Sequence, residues 1–180
     1  MNILAISGSN RADSFNTKLL KELSGLAPEG VNITQLDYAS LPLFSQDLET
    51  PFPEEATRIK NEIRAADGLI VITPEYNRTM PAALVNLLDW TSRPYADSAW
   101  TGKRTYVMGV TPSTTGTTLA QADARKVLGY IGAQLMVHPE VYISFAAQKF
   151  DEQGVLTDAE TREHLTKGLA AFVAFVNEGK

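Results

Sequence analysis

Cysteine is absent from the 180 residues, which excludes a disulfide framework, a zinc ribbon, an iron–sulfur cluster and a thiol nucleophile together. Histidine is scarce: His138 and His164 are the two in the chain. Neither has partners at catalytic spacing, so both read as structural. Positive charge is in deficit, with 16 Lys and Arg against 21 Asp and Glu and a net charge of −5. A general nucleic-acid or anionic-membrane binder needs a cationic footprint, so both are argued against, while a local cationic pocket for one phosphate is still allowed. No apolar run approaches the roughly 18 residues needed to span a bilayer. The opening segment Met1–Ser9 has no basic region and few apolar residues, so it reads as a first strand rather than a signal peptide. The expected location is the cytoplasm, and the sequons Asn32-Ile33-Thr34 and Asn77-Arg78-Thr79 are discounted accordingly. Two phosphate signatures are missing as well: the chain has neither G-x-G-x-x-G nor G-x-x-x-x-G-K-[ST].

What is present is a β/α alternation. Hydrophobic residues make up 44% of the chain and charged residues 21%, as in ordinary globular proteins, and one domain over residues 1–180 is expected at this length. Short apolar runs predict strands at Ile3–Ile6, Val31–Leu36, Leu69–Ile72, Thr105–Val110 and Leu135 toward Tyr142. Between them, helical spacing predicts helices over 16–26, 53–66, 81–90 and 119–131, and a last one over 158–177 capped by Thr157 or Asp158. Pro42–Pro53 reads as a loop. Glu54 and Glu55 fall in a first helical turn, where negative charge suits the helix dipole, and are not a catalytic pair. This alternation predicts an α/β fold, one doubly wound five-stranded parallel sheet with helices on both faces.

In such a sheet, ligands sit outside the carboxyl ends of the strands at the switch in strand order. The first such loop is Gly8-Ser9-Asn10-Arg11-Ala12-Asp13-Ser14-Phe15-Asn16. A helix start with free N–H groups, hydroxyl donors from Ser9 and Ser14, the Asn16 amide and the Arg11 cation suit a phosphate. Ser14 or Asn16 would equally serve as a helix cap. A phosphate loop built on hydroxyls rather than glycines points to a mononucleotide, and flavin mononucleotide (FMN) is the candidate in a flavodoxin-like sheet. The second loop, Thr73 to Pro81, has its backbone stiffened by two prolines, and a planar ring with donors and acceptors on one edge can be read by such a backbone. The third, Pro112 to Thr118, is small and polar enough to approach a ligand closely.

The first two loops together resemble the NADPH-dependent FMN reductase family, the flavodoxin-like quinone, azo-dye and chromate reductases. The family pattern G-S-x-R-x-x-S-x-N stands here as Gly8 to Asn16. Its second pattern stands as Pro74-Glu75-Tyr76-Asn77, then Pro81, Asn86, Asp89 and Trp90. The resemblance spans the chain from first strand to last helix. It implies that Ser9, Arg11, Ser14, Phe15 and Asn16 hold the FMN phosphate, that Pro74, Glu75, Tyr76 and Asn77 line the isoalloxazine, and that Ser113 approaches the ring from its other side. It further implies an NAD(P)H-dependent oxidoreductase reducing quinones, azo compounds or similar small acceptors by ping-pong hydride transfer, assembled as a homodimer or homotetramer. The third loop departs from the pattern: Gly116-Thr117-Thr118-Leu119 stands where the family usually has Gly-Gly-x-Arg. No protein nucleophile, metal or acid is required, because the cofactor carries the reactive atom. The helix around Asp89 and Trp90 reads as core or interface for Trp90 and a hydrogen-bonding role for Asp89. The rival functions are a flavodoxin-type electron carrier without a nicotinamide site, for which −5 is a modest charge, and a regulator that has lost FMN.

Overall fold

The computed structural model describes residues 1–11 and 13–178. Three central strands, β1 (Asn2–Ser7), β3 (Gly68–Ile72) and β4 (Arg104–Val110), are almost wholly buried. Their continuous Ile, Leu and Val runs suit strands covered on both faces. β2 (Asn32–Gln35) and β5 (Gln134–Ile143) form the edges. All pairs are parallel, in the order β2-β1-β3-β4-β5. That is the flavodoxin-like order.

Helices α1 (Phe15–Leu26) and α5 (Ala159–Asn177) cover one face, burying Leu19, Leu23, Leu165 and Phe172. On the other face α2 (Glu54–Ala65), α3 (Ala82–Thr91) and α4 (Thr118–Tyr130) bury Ile59, Ile63, Leu84, Leu87 and Leu128. The strand–helix alternation and its boundaries follow the sequence expectation closely. Asp158 caps α5, its carboxylate accepting the Thr161 N–H at 3.0 Å. Glu55 pairs with Arg58 on α2 rather than with Glu54.

One detail differs from the sequence reading, and the expected course of β5 toward Tyr142 comes with an irregularity. The Pro42–Pro53 loop contains a 3₁₀ turn at Gln46–Leu48, started by Ser45. β5 continues through Pro139 at the cost of a register shift opposite Tyr106 and Met108. Proline cannot donate to a ladder, and an edge strand with an irregularity is where a sheet tolerates it. No described helix is long and apolar enough to cross a membrane.

The chain leaves β1 toward β2 on one side and then returns to β3 on the other. The loops after β1 and β3 therefore lead to helices on opposite faces of the sheet, and a crevice opens at this point.

Candidate active site

Loop 1, residues 8–14, starts locked to its neighbour: the Gly8 N–H donates to the Ile72 carbonyl at 2.8 Å. A Cβ on Gly8 would lie 3.1 Å from Cδ of Pro74, so glycine lets loop 1 abut the loop that follows β3. Ser14 caps α1, its hydroxyl accepting the Asn16 N–H at 3.2 Å. The N–H groups of Ser14, Phe15 and Thr17 find no acceptor among the described residues. Ser9 is buried with its hydroxyl at the loop's inner side, accepting the Arg11 N–H at 3.3 Å. Arg11 is exposed and enters no ion pair with a described residue. Unpaired helix-start N–H groups, hydroxyls and a free guanidinium are a donor set that suits a phosphate. Beside them a cleft of about 200 Å³ is lined by Ser9, Arg11, Thr17, Asp37 and Tyr38. The Tyr38 phenol donates to the Ser7 carbonyl at 2.6 Å, and burial pushes its pKa up, so it stays a neutral donor.

Asn16 departs from its expected part. Its amide is buried and spent on the backbone of Val110, donating to the carbonyl at 3.0 Å and accepting the N–H at 3.2 Å. Both side-chain polar atoms are satisfied inside the protein, so Asn16 ties the start of α1 to the end of β4 instead of facing a ligand.

Loop 3, residues 73–81, folds on itself. Tyr76 and Thr79 exchange backbone hydrogen bonds of 3.1 Å each, with Asn77 and Arg78 both in the left-handed region at φ 52° and 67°. That is the geometry of a two-residue hairpin turn, which asparagine tolerates and arginine rarely adopts. The Tyr76 hydroxyl reaches back to Ser9 Oγ at 3.3 Å. Glu75 also departs from its expected place. Its nearly buried carboxylate accepts the N–H groups of Leu119 and Ala120 at 2.9 and 3.2 Å. It thereby serves the start of α4, where Thr117 supplies no side-chain cap, and it leaves only the loop backbone to face a ring. Thr79 adds a second tie to α4, its hydroxyl donating to Asp123 at 2.7 Å.

Loop 4, residues 111–117, is held from beneath. Ser113 is exposed, its hydroxyl between those of Thr111 and Thr115 at 3.1 and 3.2 Å. Gln121 is fully buried; its amide donates to the carbonyls of Gly116 and Val141 and shares the Thr117 hydroxyl. Arg125 in turn donates to Gln121 Oε1 at 2.9 Å and to the Tyr142 hydroxyl at 3.1 Å. Its Nε is a buried polar atom without a partner among the described residues. Gly109 of β4 is where the loops converge: a Cβ there would lie 2.1 Å from Thr117 Oγ1 and 2.4 Å from the Thr73 carbonyl oxygen. Sequence reasoning missed this knot. Its signals were a lone glycine inside a strand pattern, which marks close backbone approach, and a glutamine on the buried stripe of α4.

Next to loop 3 opens a larger cleft of about 540 Å³. Tyr76, Asn77, Met80 and Pro81 form one side, and Phe44, Val85 and Asp89 the other. Residues 42–44 are pinned there by the α3 motif: Asn86 accepts the Phe44 N–H at 2.7 Å, and Asn86 and Trp90 both donate to the Pro42 carbonyl. Trp90 is fully buried. Asp89, expected to hydrogen-bond, makes no side-chain bond or ion pair with a described residue. Asp89 is exposed, yet the desolvation it does undergo raises its carboxyl pKa. His138 and His164 lie off this crevice; the His164 ring contacts the Glu140 carbonyl on β5.

The family model for NADPH-dependent FMN reductases matches residues 1–148. A 2-hydroxy-1,4-benzoquinone reductase from a Burkholderia species is 40% identical over 99% of this chain and 97% of its own length. A quinone reductase from Pseudomonas putida is 38% identical over 97% and 94%. Among solved structures, the NAD(P)H:(acceptor) oxidoreductase FerB of Paracoccus denitrificans superposes with a TM-score of 0.92 at 36% identity, covering 99% of this chain and 98% of that one. Sequence, fold order and the chemistry of loop 1 thus converge, and the chain belongs to the NADPH-dependent FMN reductase family as an FMN-dependent oxidoreductase that draws electrons from NAD(P)H.

Proposed function

We propose that the protein reduces quinones with NAD(P)H, and that azo compounds of similar shape are further acceptors. One observation carries the reading: a helix start whose N–H groups find no acceptor among the described residues and a 540 Å³ apolar-walled cleft lie at adjacent loops of the switch point. In this reading Ser9, Arg11, Ser14 and Phe15 hold the FMN phosphate, Arg11 through its charge and Ser14 and Phe15 through backbone N–H groups. Pro74, Tyr76, Asn77 and the backbone at Glu75 line the isoalloxazine, and Ser113 stands across from them. FMN held there supplies two-electron redox chemistry. The dihydronicotinamide ring and the acceptor use the same cleft in turn, the oxidised nicotinamide leaving before the quinone enters. Overall a dihydronicotinamide, a quinone and one proton give the oxidised nicotinamide and a hydroquinone, the proton coming from water. Tyr76, Met80 and Pro81 line the cleft, and no side chain need supply a nucleophile.

Exposed Val85 on α3 and exposed Leu43 beside it support assembly of this one-domain chain as a homo-oligomer, with the cleft opening at the subunit boundary. The decisive experiment is a visible absorption spectrum of the purified, FMN-supplemented protein, followed by NAD(P)H oxidation with benzoquinone. A flavin spectrum and steady turnover without a partner protein support the reading and separate it from an electron carrier. A colourless protein that neither takes up FMN nor oxidises NAD(P)H sinks it.

A further inference from the structure

Neither flavin nor nicotinamide binding accounts for the Asp89 carboxylate. It stands on the wall of the large cleft, whose other lining side chains include Leu43, Phe44, Met80 and Val85. Asn86, one turn earlier on α3, cannot answer its charge, because both ends of that amide are spent on Phe44 and Pro42. Four residues on, the Arg93 guanidinium is committed to Glu49 at 2.6 and 3.0 Å. No lysine, arginine or histidine is among the described residues that line the cleft. An apolar cleft with one uncompensated carboxylate repels anions and admits neutral or cationic molecules, which is selection by an introduced repulsion. Tyr76 and Asn77 belong both to this cleft and to loop 3, so a planar molecule seated in it lies against the loop that faces the ring.

We propose that Asp89 sets the charge selectivity of the acceptor site, admitting neutral or cationic aromatic acceptors and turning away anionic ones of the same shape. The placing of the acceptor in this cleft rests on the quinone-reductase reading above; the selection by charge is a property of binding and is testable apart from turnover. A like charge held about 4 Å away weakens binding by a factor of about five even at the dielectric constant of water.

The test compares 1,4-naphthoquinone with its 2-sulfonate at low ionic strength and slightly alkaline pH, in FMN-loaded wild type, Asp89→Asn and Asp89→Lys. The difference in intrinsic reactivity between the two quinones cancels when the anion-to-neutral ratio of kcat/KM is compared between proteins. That ratio rises about fivefold in Asp89→Asn and further in Asp89→Lys, and added salt shrinks the difference. A ratio unchanged in both variants overturns the proposal. A second arm uses redox-inert probes, naphthalene-2-sulfonate and naphthalene-2-methanol, with dissociation constants read from tryptophan fluorescence; Trp90 packs edge-on against Phe44 of the cleft wall with ring centroids 5.0 Å apart. The same shift in the ratio of dissociation constants is expected there. A protein that never turns over quinones but shows the binding shift refutes the quinone-reductase reading and keeps the charge selection. Normal turnover with both ratios fixed refutes the charge selection alone, and failure of the neutral naphthalene-2-methanol to bind wild type overturns the assignment of this cleft to aromatic molecules.

Discussion

Gly109→Ala is the substitution that the geometry condemns most directly. The added Cβ would lie 2.1 Å from Thr117 Oγ1 and 2.4 Å from the carbonyl oxygen of Thr73. Thr73 cannot yield, since its own N–H is bonded to the Met108 carbonyl at 2.9 Å, in the strand that carries Gly109. Thr117 can yield only by rotating its hydroxyl away from Gln121, to which it is bonded at 3.0 Å. Overpacking costs about 1–3 kcal/mol and occasionally more, and a backbone obstacle puts this case at the upper end. Losing the Thr117–Gln121 bond in a buried place adds about 1 kcal/mol. A total of about 4 kcal/mol corresponds to a fall in Tm of roughly 8–16 °C for a chain of this size. Thermal denaturation of the apoprotein measures it, and FMN retention reports the accompanying shift of loops 3 and 4. The control is Gly25→Ala near the end of α1, where a Cβ meets nothing within 4 Å; it should raise stability by about 0.5–1 kcal/mol. If Gly109→Ala melts within about 2 °C of wild type, less than 1 kcal/mol by the same conversion, and keeps its FMN, the contact at Gly109 has been misjudged.

Other consequences are checked more briefly. Arg11→Ala removes a charged partner for the FMN phosphate worth about 1.5–3 kcal/mol, so the FMN dissociation constant should rise about 10- to 150-fold. The apoprotein's Tm should hold, because Arg11 is exposed without an ion pair among the described residues; unchanged FMN affinity means loop 1 has been misread. Asn16→Ala strands the N–H and carbonyl of Val110 and should cost about 2–4 kcal/mol of stability, read as a lower denaturant midpoint with unchanged m-value. Three carboxyls are held down to about 2: Glu55 by Arg58 and then Ser40, Asp97 by Lys60 and then Arg64, and Asp158 by Lys149 and then Thr161. Their ordinary values are 4.5 for the Glu and 3.8 for the Asp residues, so the unfolded chain binds these protons first on acidification. The stability they contribute is complete above those values and is lost as pH falls toward 2. A Tm that stays level on acidification across that interval would contradict the pairing.

The fold was legible because its signals are local and redundant. The Leu69-Ile70-Val71-Ile72 run can only be a strand covered on both faces, and helical spacing between such runs leaves little but a doubly wound sheet. Loop 1 was legible because helix capping and anion binding ask for the same short polar residues at one place. The side chains of Asn16 and Glu75 fit a ligand-binding pattern and serve the protein instead, since a sequence pattern records which residue type is needed and not where its side chain points. Asn16 reaches Val110, 94 positions away, and Glu75 reaches α4, 44 and 45 positions away. Such contacts depend on the strand order, which no window of sequence contains. Gly109 and Gln121 were overlooked for the same reason, because the fit they provide exists only once loops 3 and 4 meet.

The place of Glu75 also bears on how the crevice sorts charge. Two helices begin at the carboxyl ends of β1 and β4, and each start offers unpaired N–H groups with a partial positive charge. At α4 the protein supplies its own anion, the Glu75 carboxylate, which takes up the Leu119 and Ala120 N–H groups. The arginine usual in the family is missing from the loop before α4, and the nearby Arg78 pairs with Glu75 at 3.4 Å, so the start of α4 has no open backbone N–H for a second phosphate among the described residues. At α1 the N–H groups of Ser14, Phe15 and Thr17 find no acceptor among the described residues and lie near Arg11. The crevice therefore has the Arg11 cation at loop 1, a mutually neutralised Arg78–Glu75 pair on loop 3 and the Asp89 carboxylate on the far cleft wall. A ligand with a phosphate at one end and an uncharged ring at the other is oriented by that gradient before any specific contact forms, and a reversed pose would set its phosphate against a carboxylate.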